Sequence, residues 1–205
     1  MGEHRASRCL DVAVSLAALM FLSPVLAVCA ALIKLADGGP VVYRQTRVGK
    51  AGVRFAIVKL RTMTVGAEHQ GAGLVVAAAD ARITRPGRWL RATSLDEIPQ
   101  LWNVLRGDMA IVGPRPTVPS QVERYTDHQR RRLDVLPGIT GWAQVNGRNS
   151  LAWEDRIELD LWYVEHKSLW LDLKVIARTP KALAPTAALY GPDGVTRDLQ
   201  PPQAS

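Results

Sequence analysis

An acidic pair flanked by arginines is the part of this 205-residue sequence best suited to chemistry. Asp96 and Glu97 are adjacent, and the nearby arginines are Arg85, Arg88, Arg91, Arg106 and Arg115. A carboxylate can attack phosphorus to give an acyl phosphate, or hold a divalent metal that bridges a diphosphate, while arginines neutralise the remaining phosphate oxygens. The alternative is that both acids complement a helix dipole in a first turn, and the local pattern alone favours this common structural role.

Two glycine-containing segments and one basic run carry other groups that could bind a ligand. Residues 113–116 place Arg115 between two prolines, which predicts either a fixed anion-binding guanidinium or an exposed arginine in a proline-rich turn. Residues 137–149 combine three glycines with indole, amide and guanidinium groups, which suits close approach to a nucleotide or sugar but equally suits turns around a buried tryptophan. The three arginines at 130–132 predict a solvated or lipid-facing helix surface.

The acidic pair is expected at the beginning of a helix. Thr93 or Ser94 has the chemistry of a helix cap, and Pro99 is tolerated in a first turn. Apolar residues then follow at helical spacing until Gly107, a residue typical of helix ends.

Short strands and several more helices are expected around this helix. Residues 41–44 and 55–58 predict strands joined by a hairpin near residues 49–52, because glycines separate two β-rich runs. Helices are predicted over residues 118–136, 153–166 and 169–178, the last ending before Pro180, whereas Pro86 and Gly87 interrupt residues 83–90. Residues 68–80 lack a sustained period, and the proline-containing tail from residue 191 is predicted to be disordered.

A long apolar segment near the N-terminus indicates a membrane. Residues 12–33 form an uncharged run of 22 residues, the length that a bilayer-spanning helix requires. Three interpretations compete: a cleaved signal peptide, for which the run is long, a plain transmembrane helix, or a re-entrant hairpin. Pro24, behind Ser23, predicts a bend at the middle of the run, although spanning helices also tolerate kinks. Basic residues on both flanks favour a hairpin with both ends in the cytosol.

Composition narrows the partner class without choosing a partner. The formal charge of +7 favours anionic partners such as phosphates, nucleic acid or acidic lipid. Both cysteines, Cys9 and Cys29, lie at or inside the apolar segment, so no disulfide framework is expected and a reducing cytosol fits best. The four histidines show no zinc-ligand spacing.

Several motifs in one order resemble the monotopic phosphoglycosyl transferases, also called bacterial sugar transferases. Besides the proline-broken apolar segment, they are Lys59-Leu60-Arg61-Thr62-Met63, Thr93-Ser94-Leu95-Asp96-Glu97-Ile98-Pro99-Gln100-Leu101-Trp102-Asn103, Gly107-Asp108-Met109, Val112-Gly113-Pro114-Arg115-Pro116 and Pro137-Gly138-Ile139-Thr140-Gly141-Trp142. Tyr163, Ser168 and Leu171-Asp172-Leu173-Lys174 extend the similarity, which runs from about Arg8 to Thr179.

The resemblance implies an α+β, mainly helical fold in three parts. Residues 1–36 would form a re-entrant membrane helix hairpin bent at Ser23 and Pro24, and residues 37–190 a compact cytosolic catalytic domain with short strands. Residues 191–205 would be a disordered tail. The protein would lie at the bacterial inner (cytoplasmic) membrane, in contact with inner-leaflet lipid, with its catalytic domain facing the cytosol.

The same resemblance implies a two-step phosphosugar transfer that depends on Mg²⁺. Asp96 would attack the β-phosphorus of a UDP-sugar and UMP would leave, after which a polyprenyl (undecaprenyl) phosphate would take the phosphosugar from the aspartate. Glu97 would support this chemistry, and Asp96 would also be the metal ligand. The residues implied to bind phosphate or nucleotide are Lys59, Arg91, Arg115 and Arg148. The product would begin a bacterial surface glycan such as an exopolysaccharide.

Two other functions fit parts of the sequence. A non-catalytic scaffold at the membrane surface would keep the fold without needing the intact acidic pair, and a UDP-sugar hydrolase would release sugar phosphate into water. Nucleic acid is not expected as a partner, because no helix-turn-helix, zinc-finger or RNA-binding signature is present. The sequence leaves the sugar, the polyprenol and the oligomeric state open.

Overall fold

The computed structural model describes residues 2–70, 76–77, 80–147 and 150–183, and helices predominate among them. In chain order the elements are α1 (Gly2–Asp37), β1 (Val42–Val48), β2 (Arg54–Leu60), α2 (Arg85–Thr93), α3 (Gln100–Arg106), β3 (Ala110–Val112), α4 (Pro119–Val122), α5 (Asp127–Arg130), β4 (Gly138–Thr140), α6 (Trp142–Val145), α7 (Trp153–His166) and α8 (Leu169–Leu183). The mainly helical prediction with short strands is confirmed. The predicted tail at residues 191–205 lies outside the described residues, and the three-part division stays a prediction.

Helix α1 is one element of 36 residues with Pro24 inside it. Proline has no N–H for the carbonyl of Met20, and the Ser23 hydroxyl donates to that carbonyl instead, at 2.8 Å. The span Ala6–Asp37 is long and apolar enough to cross a membrane: an 18-residue window within it has a mean hydropathy of 2.5, and only 11% of that window is buried. The long apolar helix is therefore confirmed, whereas the re-entrant bend at Ser23 and Pro24 stays a prediction.

Both ends of α1 are bonded to the rest of the protein. Near its start, the guanidinium of Arg8 donates to two carbonyls near the C-terminal end of α3, at 2.6 and 3.0 Å, and Asp11 accepts from the Ile111 amide at 3.1 Å. At its last residue, Asp37 accepts two hydrogen bonds from the Arg61 guanidinium. Between these contacts, Cys29 and Ile33 pack with buried leucines of β2 and α2. One narrow stripe of α1 thus packs on the protein, and its other faces stay exposed.

The strands form two small sheets. β1 and β2 pair antiparallel from Val42 opposite Leu60 to Val48 opposite Arg54, which confirms the predicted hairpin. β3 and β4 pair in parallel, with Ala110 opposite Gly138. A side chain at Gly138 would place its Cβ 2.1 Å from a backbone nitrogen of the neighbouring strand segment, so glycine is required for this close approach. The sequence analysis placed residues 138–140 in a segment of turns, whereas the structure shows them as strand β4.

The prediction of one helix over residues 118–136 is wrong. Pro119 begins the four-residue α4, and Thr126 then caps the separate helix α5 by a capping box with Gln129. A short 3₁₀ turn, Arg131–Leu133, follows. The cap starts a new helix with its own direction, and this brings Arg132 inside the protein, where it is 5% exposed. The predicted solvated or lipid-facing surface is wrong for that arginine.

Two prolines that were expected to interrupt or end a helix lie inside helices. Pro86 lies in the first turn of α2, where a missing N–H costs nothing, and Thr84 caps this helix by accepting from the Gly87 amide at 3.1 Å. Pro180 lies within α8, which continues to Leu183 instead of ending at residue 178. The prediction of α7 over residues 153–166 is confirmed.

Candidate active site

The acidic pair lies in a tight turn between two helices. Helix α2 ends at Thr93, and Ser94 then takes a left-handed conformation with φ 57°. Leu95–Glu97 forms a single 3₁₀ turn, and α3 begins at Gln100 after Pro99. The pair was predicted in a helix first turn, and it lies just before that helix instead, without a side-chain cap from Ser94. A non-glycine residue with positive φ is uncommon and is often found at functional sites.

Glu97 is held by two cations from different parts of the chain. Lys59, on β2, places its Nζ 2.7 Å from Oε1 of Glu97. Arg115 donates to both carboxylate oxygens, at 2.6 Å to Oε1 and 3.3 Å to Oε2. Burial alone would raise the pKa of Glu97, but the charges and hydrogen bonds of Arg115 and Lys59 hold it well below its usual value. Glu97 is therefore a fixed anion whose oxygens are already occupied.

Asp96 has the opposite environment. It is 9% exposed, and among the described residues no group donates a hydrogen bond to its carboxylate. Burial, followed by the neighbouring charge of Glu97, raises the pKa of Asp96 to about 6. At pH 7 the group is mostly ionised but is not stabilised by a hydrogen bond, and such a carboxylate retains its nucleophilic lone pairs.

Most of the predicted binding residues are brought together here. Arg91, in the last turn of α2, and Arg115 both act on Asp96 by their positive charge. The Nε of Arg91 is buried and has no partner among the described residues. Burial lowers the pKa of the Lys59 ammonium, although the adjacent Glu97 opposes this shift. Arg148, the remaining predicted binding residue, lies outside the described residues.

Arg47 is a cation near the site that the sequence analysis did not assign to it. Its guanidinium donates to the Pro116 carbonyl at 3.2 Å and to Gln45 at 2.6 Å. Burial, followed by the charge of Arg115, lowers the pKa of Arg47 to about 10. On β1 the side chains alternate between exposed and half-buried, and Arg47 is on the half-buried face. The period-two alternation of β1 was a signal in the sequence that could have placed Arg47 on the inner face. The sequence analysis instead counted Arg47 only among the basic residues that flank the apolar segment.

The site offers one open carboxylate to a metal ion. Among the described residues, no group of three or more acidic, histidine or cysteine side chains could hold a metal by itself. The Glu97 oxygens already accept from cations, whereas the carboxylate of Asp96 lacks such partners. Mg²⁺ is commonly bound by one or two carboxylates together with substrate phosphates and water, and the open carboxylate of Asp96 fits that use.

Comparison with known proteins identifies close relatives. A family model described as bacterial sugar transferase matches residues 2–185. The chain is 43% identical over 168 residues to the uncharacterized sugar transferase EpsL of Bacillus subtilis, covering 82% of each protein. It is 42% identical over 161 residues to an undecaprenyl-phosphate galactose phosphotransferase of Salmonella typhimurium, covering 72% of this chain and 34% of that protein. It is also 43% identical over 177 residues to a UDP-glucose:undecaprenyl-phosphate glucose-1-phosphate transferase of Klebsiella pneumoniae, covering 82% of this chain and 38% of that protein. The chain thus spans only about a third of the length of the latter two relatives.

Proposed function

The chain belongs to the bacterial sugar transferase family of phosphoglycosyl transferases, and from this premise we propose that it transfers a sugar 1-phosphate from a UDP-sugar to undecaprenyl phosphate. The products would be an undecaprenyl-diphosphate sugar and UMP, and the lipid product would begin a bacterial surface glycan. One observation carries the proposal: Asp96 is a buried carboxylate without a hydrogen-bond donor among the described residues, beside a glutamate whose charge two cations balance.

In the first half-reaction, an Asp96 oxygen attacks the β-phosphorus of the UDP-sugar. A carboxylate–phosphorus bond forms, and the bond from that phosphorus to the bridging oxygen breaks, so UMP leaves with the bridging oxygen. Arg115 is half-exposed in addition to holding Glu97, so its remaining donors are available for the diphosphate oxygens. Arg91 would provide a second cation on the Asp96 side.

In the second half-reaction, a phosphate oxygen of undecaprenyl phosphate attacks the same phosphorus and regenerates the Asp96 carboxylate. Lys59 and Arg115 hold Glu97 ionised throughout, so the Glu97 charge stays paired while negative substrates enter and leave. When bound through Asp96 and the diphosphate, magnesium would reduce the repulsion that an anionic nucleophile meets on approaching the donor.

The contacts of α1 support a monotopic arrangement in the membrane. Arg8 and Asp11 at one end of α1, and Asp37 at the other, are bonded to the part of the protein that holds the site. A helix that crossed the bilayer would leave one of its ends on the side opposite that part. We propose that both ends lie at the cytosolic face, with the exposed apolar middle of α1 in the lipid, as a helix bent at Pro24 would allow.

A trapped intermediate tests the reaction. Purified enzyme is mixed with magnesium and UDP-sugars in the absence of acceptor, and UMP and intact protein mass are measured. We expect a burst of UMP close to the enzyme concentration and a mass increase of one phosphosugar, which peptide mapping locates on Asp96. Asp96→Asn should lose both signals, whereas the exposed Asp127→Asn should keep them.

Other outcomes would point to the alternatives. Continuous release of sugar phosphate into water, without any lipid product after acceptor is added, would indicate a hydrolase. The absence of both UMP and adduct with every UDP-sugar would leave only the scaffold. An adduct on a residue other than Asp96 would refute the proposed nucleophile while preserving the transfer reaction.

A further inference from the structure

The loop that carries Arg115 is fixed by its backbone. Four successive carbonyls of this loop, from Pro114 to Thr117, each accept a hydrogen bond, and the donors lie on three elements: β4, the turn Arg131–Leu133 and, for the last two carbonyls, β1. The donors are, in order, the Gly138 amide at 2.9 Å, the Arg132 guanidinium at 3.1 Å, the Arg47 guanidinium at 3.2 Å and the Val48 amide at 2.9 Å. A loop held in this way can deliver a side chain in one orientation.

Arg132 is the donor that acts on Arg115 itself. Its Nη2 bonds both the Arg115 carbonyl and an Asp160 carboxylate oxygen, and its Nη1 bonds the Tyr125 hydroxyl. The hydroxyl of Tyr125 is also within 2.9 Å of Thr117 Oγ1. Arg132 and Asp160 are only 5% and 2% exposed, so the charges of this pair are buried. One buried guanidinium thus connects α7, the segment after α4 and the loop of Arg115.

Stability alone is a poor explanation for this buried pair. Removing two charges from water is costly, and well-packed apolar residues of similar volume are often equally or more stabilising. The pair is also incompletely bonded, because among the described residues the Arg132 Nε and the Asp160 Oδ1 have no partner. What an apolar pair could not supply is the hydrogen bond to the Arg115 carbonyl.

We propose that Arg132, oriented by Asp160 and Tyr125, is a positioning residue for Arg115, and that it sets the guanidinium of Arg115 for binding the diphosphate of the donor. Arg132 would not touch the substrate. It would act by fixing the backbone from which the Arg115 side chain reaches both Glu97 and the ligand. This inference deepens the proposed function and rests on it, since it assumes that Arg115 binds a diphosphate.

The test measures binding of UDP by calorimetry, with magnesium present, to full-length enzyme in detergent. The main variant is Arg132→Met/Asp160→Leu, which removes both charges together and keeps an apolar core. The matched control is Arg131→Met, because the neighbouring arginine pairs with Glu165 on the surface and is far more exposed. Both changes are also made in an Arg115→Ala background. Where the double variant does not fold, Tyr125→Phe gives the same comparison with a smaller change.

We expect the double variant to weaken UDP binding about tenfold and the control to leave it unchanged, as loss of one well-oriented charge-assisted contact predicts. In the Arg115→Ala background the double variant should have no further effect, because the side chain that it orients is gone. Wild-type affinity in the double variant overturns the inference alone. An equal loss in both backgrounds also overturns it, since that pattern indicates general loosening. Unchanged UDP binding by Arg115→Ala overturns both the inference and the proposed diphosphate contact, and the Asp96 adduct experiment still tests the reaction separately.

Discussion

The pKa of Asp96 predicts how the transfer rate depends on pH. The proposed attack by Asp96 requires its carboxylate form, and burial together with the charge of Glu97 raises the pKa of Asp96 from 3.8 to about 6. Because the folded-state pKa is raised, the reactive form is lost as pH falls through 6 and not through 3.8. We therefore expect kcat/KM for the UDP-sugar to decrease about tenfold for each pH unit below 6, since each unit changes the ionised fraction tenfold.

Replacing Glu97 by glutamine should move this acidic limb to lower pH. Burial is the largest cause of the raised pKa of Asp96 and the Glu97 charge is the second, so removing that charge should lower this pKa and bring the limb below pH 6. Each pH unit by which the limb moves corresponds to ~1.4 kcal/mol of interaction between the two carboxylates. Lys59 and Arg115 would remain positive and would act in the same direction. The variant can lose absolute activity while its pH limb moves as predicted.

The assay is the pH profile of kcat/KM from pH 4.5 to 8, measured by UMP release. This ratio reports the free enzyme, in which Asp96 carries no metal if magnesium arrives with the diphosphate. Glu165→Gln, a change on the exposed surface, is the control and should keep the wild-type limb. A wild-type limb near pH 4, or a limb that moves upward in Glu97→Gln, would refute the assigned environment of Asp96.

Two further predictions concern the fold and the membrane. Gly87→Ala should lower the free energy of unfolding by more than ~2 kcal/mol, because the new Cβ would lie 1.9 Å from a backbone oxygen. The control is Gly52→Ala, whose Cβ would have nothing within 4 Å and which should cost about 1 kcal/mol through its positive φ. Thermal unfolding of both variants measures the difference. In intact cells, an impermeant maleimide should label neither the exposed Cys9 nor an Ala36→Cys variant, whereas permeabilised cells should show both; labelling of one end alone would contradict the monotopic arrangement.

The sequence was sufficient for features that depend on local chemistry. The hairpin of β1 and β2 followed from two β-rich runs with glycines between them, and the helix ending near Gly107 followed from periodicity and a C-terminal glycine. The association of Lys59, Arg91 and Arg115 with the acidic pair came from motifs in a known order, and the structure brings these residues together. Local pattern alone did not distinguish a catalytic from a structural role for the acidic pair.

Long-range contacts were beyond the sequence. An arginine next to two others favours a solvated surface, and only the fold shows that Arg132 meets Asp160 from a helix 28 positions away. The helix expected over residues 118–136 failed for a related reason, since the cap at Thr126 competes with continued helix and tertiary packing decides between them. The role of Arg47 was hidden in the same way, because its partner Pro116 lies 69 positions along the chain.

The strand that carries Lys59 also determines how close the site lies to the membrane segment. Lys59 and Arg61 are two residues apart, and an extended chain advances ~3.4 Å per residue, so about 7 Å separates their Cα atoms. Arg61 bonds Asp37, the last residue of α1, and it also donates to the carbonyls that flank this contact, of Pro40 and Met63. The end of α1 therefore cannot separate from β2 without breaking several hydrogen bonds to the buried guanidinium of Arg61. In the proposed reaction, this connection would keep Asp96 close to an acceptor whose phosphate lies at the membrane surface, as an enzyme with one soluble and one lipid substrate requires.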